Sequence, residues 1–95
     1  MYLRITRGRF DPAAYDQIRP LADEIQAAGS RLPGLDRMYQ AVDRVAGTVV
    51  AVSTFDTEEH ARFSREAALG DVLARLQALG VQVDPPEIYE VTTHN

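Results

Sequence analysis

The sequence predicts a single α+β domain, residues 1–95, with an antiparallel sheet in the order β-α-β-β-α-α-β. Three observations predict it. Residues 2–10 alternate with the period of a strand, residues 12–28 repeat apolar side chains at helical spacing, and residues 38–55 hold two strand patterns around a short glycine-bearing turn.

In the first strand Leu3 and Ile5 point one way and Tyr2, Arg4 and Thr6 the other; Gly8 reads as a bulge relieving the alternation. Asp11 then caps a helix whose first turn accepts Pro12. Ala14, Ile18, Leu21, Ile25 and Ala28 fall on one stripe, Pro20 lies opposite them, and Gly29 ends the helix. After the loop LPGLD, Met38 to Asp43 and Thr48 to Phe55 form a hairpin through Arg44–Gly47. Val49, Val50 and Val52 make both faces of the second hairpin strand apolar. A sheet covered on one face alternates, so this pattern asks for a cover on the second face. A chain this short has no element left for that, and a partner copy is the economical cover.

Asp56 is the expected cap of the next helix, with Glu59 completing a capping box. Gly70 breaks that helix and Asp71 caps a second piece with an inward stripe of Val72, Leu76 and Leu79, stopped by Gly80. Pro85 and Pro86 stiffen the approach to the last strand, EIYEVTT. The order is the ferredoxin-like split βαβ arrangement with its second helix in two pieces.

Composition bounds the function. There is no cysteine, so disulfides and thiolate metal sites are excluded, and two distant histidines are poor metal spacing. The net charge of −4 argues against nucleic acid, although every basic residue is arginine and Arg4, Arg7 and Arg9 share the first strand. No run is long and apolar enough to span a bilayer, and MYLRITRGRF lacks the apolar block of a signal peptide. The expectation is a cytoplasmic protein.

The stretch FDTEEHARF carries His60. At about 100° per residue, Ser64 and Ala67 share its side of the helix, while Glu58, Glu59, Arg62, Arg65 and Glu66 take the far side. The imidazole is expected to face the sheet. Two roles stay open: a core histidine bonded to a carbonyl or hydroxyl, or a ring lining a cavity, where it suits acid–base work. Glu90, Tyr89, Ser53 and Tyr39 are its candidate partners; His94 sits in the tail.

The layout, with the passages LPGLDRMYQAVDR, VVAVSTFDTEEHARF and EIYEV, resembles the antibiotic biosynthesis monooxygenase family of dimeric α/β barrels. The resemblance implies a homodimer whose two sheets close into one barrel, with a pocket between sheet and helices in each chain. Some members oxygenate aromatic polyketides without metal or flavin, and related ones degrade haem. Those enzymes use an asparagine on the first strand, a tryptophan near the end of the third and a histidine on the helix after it. Here the first strand offers Arg4 and Thr6, Phe55 stands at the approximate tryptophan position, and Phe63 and Ser64 stand where the helix histidine falls, one turn after His60. Haem degradation is therefore not expected.

The expected enzyme is a cofactor-free oxygenase or isomerase acting on a small aromatic or quinone-like molecule. His60 is its base or orienting group, Arg4 holds an oxyanion, Phe55 and Phe63 stack, and Thr6, Tyr39, Ser53 and Ser64 complete the pocket. The alternative is a dimeric barrel that binds a small ligand, or none, without catalysis.

Overall fold

The computed structural model describes residues 1–63 and 66–95. Strand β1 (Tyr2–Arg9) leads through a 3-10 turn (Pro12–Ala14) into helix α1 (Tyr15–Ala28). A second 3-10 turn (Gly29–Arg31) precedes the hairpin β2 (Leu35–Asp43) and β3 (Thr48–Phe55). Helices α2 (Glu58–Ala61) and α3 (Glu66–Ala78) and strands β4 (Gln82–Val83) and β5 (Glu87–Glu90) complete the chain.

All pairings are antiparallel, in the order β2-β3-β1, and the free edge of β1 is shared by β4 and β5. β5 is the last strand expected from sequence, ending at Glu90, and β4 is an additional short strand before the prolines. Pro85 and Pro86 lie between them without N–H groups, so the ladder is interrupted there. Asp84 N donates to Arg7 O (2.8 Å), and the Arg9 guanidinium meets both Asp84 carboxylate oxygens at 3.1 and 3.2 Å, so the interruption stays docked on β1.

Three local expectations are corrected. Gly8 makes no bulge: β1 stays in register with β3 from Tyr2↔Phe55 to Arg9↔Thr48. The irregularity sits in β2, where the register shifts between Leu35 and Arg37. Thr57, not Asp56, caps α2, its hydroxyl accepting from His60 N at 3.1 Å. Helix α3 runs through Gly70 to Ala78, and the division between the two helical pieces falls between Ala61 and Glu66. One glycine costs a helix roughly 1 kcal/mol, which the burial of Leu69, Val72 and Leu76 on the same helix exceeds.

Helices α1 and α3 pack on one sheet face around Phe10, Leu21, Ile25, Ala28, Leu69, Val72, Leu76 and Val81. A smaller cluster of Leu32, Phe55 and Ala61 closes the end under α2. Arg4, Thr6 and Gly8 are buried on this helix-covered face. On the opposite face Leu3, Ile5, Val50 and Val52 are only half-buried, and Tyr39 and Tyr89 are 59% and 50% exposed. The apolar second face predicted from β3 is thus present, and among the described residues no helix packs over it. No helix among the described residues is long and apolar enough to cross a membrane.

Candidate functional site

A cavity of about 380 Å³ lies between α1, α3 and the helix-covered face of the sheet. Its floor comes from inward positions of adjacent strands: Met38, Gln40 and Val42 on β2, Val49 and Ala51 on β3, Thr6 and Gly8 on β1. Short side chains keep it open. Ala51 and Thr6 are cross-strand partners, and Ala22 faces them from α1. Gly8 adds no side chain; a Cβ there would lie 3.0 Å from Val49 Cγ1 and 3.1 Å from Gln82 O. Phe10, Ile18, Ile25, Leu73, Leu76 and Val81 make the remaining wall apolar.

The polar groups of the lining are few. Gln40 Nε2 donates to Ala22 O at 2.8 Å and to Gln26 Oε1 at 3.2 Å, while Gln26 Nε2 donates to Met38 O at 3.0 Å. This pair ties α1 to β2, an edge strand of the sheet. Thr6 is buried, and its hydroxyl is the polar group that β1 contributes to the floor. Tyr15, Arg19 and Asp23 line the cavity from α1. Tyr15 and Asp23 together hold the Arg19 guanidinium pKa above its ordinary value. The cavity therefore offers a largely apolar body with a small set of directional groups, the usual build of a small-molecule site.

The residues singled out from sequence divide into several places. Thr6 lines the cavity from the helix-covered face; Tyr39 borders it from β2, although its residue position belongs to the opposite face and its side chain is 59% exposed. Arg4, Ser53 and Phe55 are buried towards α2 instead: Arg4 Nη1 donates to Ala61 O at 3.2 Å and to Phe63 O at 3.3 Å, and its guanidinium carbon lies 4.7 Å from the Phe55 ring centre. Arg4 is therefore committed to the backbone after α2 rather than aimed into the cavity. Phe63 is 39% exposed, and Ser64 lies outside the described residues.

His60 is not a lining residue of this cavity. Its side chain is 37% exposed, and its Nδ1 lies 2.6 Å from Asp56 Oδ1. That hydrogen bond holds the Asp56 carboxyl below the usual aspartate range. Gly34, at φ +72°, packs directly on the pair, and a Cβ there would collide with both Asp56 Oδ1 and His60 Nδ1. The expected inward imidazole is thus a partly exposed side chain that pairs with Asp56 beneath the β2 entry loop. The physical reason lies in the helix start. With Thr57 as the cap, Asp56 is free to meet the imidazole four residues on.

Tyr15, Gln26 and Gln40 were not singled out from sequence. Gln40 carried a legible signal, a long polar side chain between Met38 and Val42 on the inward positions of an alternating strand.

No family model and no curated protein sequence matches this chain. Solved structures do. A candidate antibiotic biosynthesis monooxygenase from Deinococcus radiodurans superposes with a TM-score of 0.81 at 16% identity, covering 100% of this chain and 96% of that one. HapK from Hahella chejuensis gives 0.76 at 15% identity, covering 100% and 96%. SnoaB, a cofactor-independent oxygenase from Streptomyces nogalater, gives 0.68 at 16% identity, covering 98% and 94%. The chain thus has the ferredoxin-like α+β fold of antibiotic biosynthesis monooxygenases, and at these identities the likeness carries the fold alone.

Proposed function

We propose that this protein binds a small aromatic or quinone-like molecule in the cavity between α1 and the sheet and acts on it as a cofactor-independent monooxygenase. The observation that carries the reading is the cavity itself, about 380 Å³ and largely apolar, on the fold of a known cofactor-independent oxygenase. An electron-rich substrate with an acidic methylene supplies its own reducing electrons. It loses a proton, passes electrons to dioxygen and ends as a ketone; one oxygen atom enters the product and the other leaves as water. The protein's share is to exclude bulk solvent and orient the molecule, with the Thr6 hydroxyl and the Tyr15 hydroxyl as hydrogen-bonding groups.

A second reading, binding without turnover, is favoured by one observation. No histidine is among the described residues lining the cavity, and His60 is bonded to Asp56 outside it. Anthrone separates the two. Saturable oxygen uptake, one dioxygen per anthraquinone formed, supports the oxygenase; saturable binding without uptake supports the binding protein; no binding overturns both.

The reading includes a homodimer. A second copy covers Leu3, Ile5, Val50 and Val52 on the open sheet face, burying apolar surface at ~25 cal/mol per Å². Light scattering at micromolar concentration tests this, and a monodisperse monomer overturns it.

A further inference from the structure

The cavity is apolar in its depth and carries charged groups, Arg19 and Asp23, on one flank. Tyr15 lines it from the first turn of α1, and Arg19, four residues later on the same helix face, lines it too. Arg44 approaches the same side chain from the β2–β3 turn, its guanidinium carbon 4.7 Å from the Tyr15 ring centre. That turn is fixed against the start of α1: Phe10 N donates to Gly47 O at 2.8 Å, and Gly47 holds φ +74° where a Cβ would collide with Phe10 O. One guanidinium is thus held over the Tyr15 ring by the β2–β3 turn, and a second stands one helical turn away on α1.

Their existing partners leave them available. Arg19 meets Asp23 through Nε at 3.4 Å, a long contact between side chains 60% and 66% exposed. Arg44 has no carboxylate within ion-pair distance among the described residues, because Asp43 beside it accepts from Val45 N and Ala46 N of the turn. The chain as a whole carries a net charge of −4, so this local pair of cations runs against the overall balance.

We infer that the ligand of this cavity is an amphiphilic acid, with an apolar ring system inside and an anionic group, a carboxylate or a phenolate, seated at Tyr15 between Arg19 and Arg44. The inference rests on the reading of the cavity as a ligand site and specifies the chemistry of its occupant. Planar guanidinium groups suit a carboxylate because they donate paired N–H groups to its two oxygens. Asp23 is the competing anion. A ligand carboxylate takes the guanidinium edge that the single Asp23 contact leaves unused.

Two fluorescent probes of one scaffold test this: anilinonaphthalene sulfonate, which is anionic, and phenylnaphthylamine, which is neutral. At low salt the sulfonate is expected to bind about tenfold more tightly, and Arg44→Gln and Arg19→Gln each to reduce that ratio about threefold by weakening the sulfonate alone. Ala51→Leu, which fills the floor, is expected to weaken both probes. Equal affinities, or arginine variants that leave the sulfonate unaffected or weaken both probes alike, overturn the anionic ligand while the cavity reading stands. Failure of both probes to bind, or binding indifferent to Ala51→Leu, overturns the cavity reading itself.

Discussion

Replacing Arg4 by leucine tests how the end of the sheet holds α2. Arg4 is 4% exposed, in the middle of β1 between Ser53 and Ile88 on the neighbouring strands. Its Nη1 donates to Ala61 O and Phe63 O, carbonyls at the C-terminal end of α2, and its guanidinium lies over Phe55, which is 1% exposed. A four-residue helix cannot satisfy its own last carbonyls, so the cation completes it from outside. Leucine orphans those acceptors, at about 1–3 kcal/mol for a buried group, and removes a desolvated cation–π contact of about 2 kcal/mol. Relief from burying a charge offsets part of this. The expected net loss is about 2–4 kcal/mol, which in a chain of this size lowers the melting temperature by roughly 10–25 °C. Arg4→Lys retains a charge but not the fork, and is expected to fall between. Urea and thermal unfolding followed by circular dichroism give the numbers. A leucine variant within about 0.5 kcal/mol of the parent, at unchanged m-value, refutes the idea that Arg4 secures α2.

Other outcomes follow from the same geometry. Gly34 and Gly80 both have positive φ, +72° and +86°, but a Cβ at Gly34 strikes the His60–Asp56 pair whereas one at Gly80 meets nothing within 4 Å. Gly80→Ala is expected to cost about 1 kcal/mol and Gly34→Ala at least about 2 kcal/mol, and equal melting shifts contradict the clash. Glu24, Asp56 and Glu87 have lowered carboxyl pKa values through Arg75, His60 and Arg7 respectively. A depressed folded pKa contributes stability above the unfolded value, 4.5 for glutamate and 3.8 for aspartate, and loses it as pH falls through the folded value. Melting temperature is therefore expected to drop on acidification below that range, and Glu24→Gln with Glu87→Gln to flatten the drop; a profile identical to the parent's opposes the assignment. Tyr89, hydrogen-bonded to Glu87, is expected to ionise above the ordinary 10.0 in a spectrophotometric titration, and Glu87→Gln to bring it back. His60→Ala is expected to leave probe binding in the cavity unchanged; a tenfold loss places the imidazole at the ligand after all.

Strand β1 and helix α1 were legible because each carries one dominant period. The hairpin bounds at Asp43, Thr48 and Phe55 coincide with the sequence pattern, since β-branched residues and Gly47 agree on the same turn. Asp11 does cap the first turn, accepting from Ala13 N at 2.9 Å. Local signals competed between residues 56 and 78. Asp56 reads as the cap, but Thr57 beside it takes that place, its hydroxyl accepting from His60 N. Gly70 reads as a stop, but burial of Leu69 and Val72 on either side carries the helix through it. The two-residue strand β4 is too short for periodicity to register, and it pairs only because the chain from Val81 must run back along β1.

The site was harder to read for a geometric reason. A helical wheel fixes a side chain's direction within its helix, but His60 sits in the first four-residue turn, where the cap controls the outcome. There the imidazole turned to the nearest carboxylate, and Gly34 gave it room. The cavity is instead defined by what is missing: Gly8, Ala22 and Ala51 converge from three elements and leave space that none shows alone. Small residues carry no chemical signature in a sequence, so a search for reactive groups passes over them. The same convergence explains why Thr6 meets the cavity while Arg4, two residues before it and on the same face, does not. The sheet continues past the cavity to the α2 end, where the Ala61 and Phe63 carbonyls need a donor and Arg4 supplies it. One face of β1 thus borders the cavity at Thr6 and Gly8 and the helix end at Arg4. A change at Arg4 is accordingly expected to register in stability first, and a change at Ala51 in binding first.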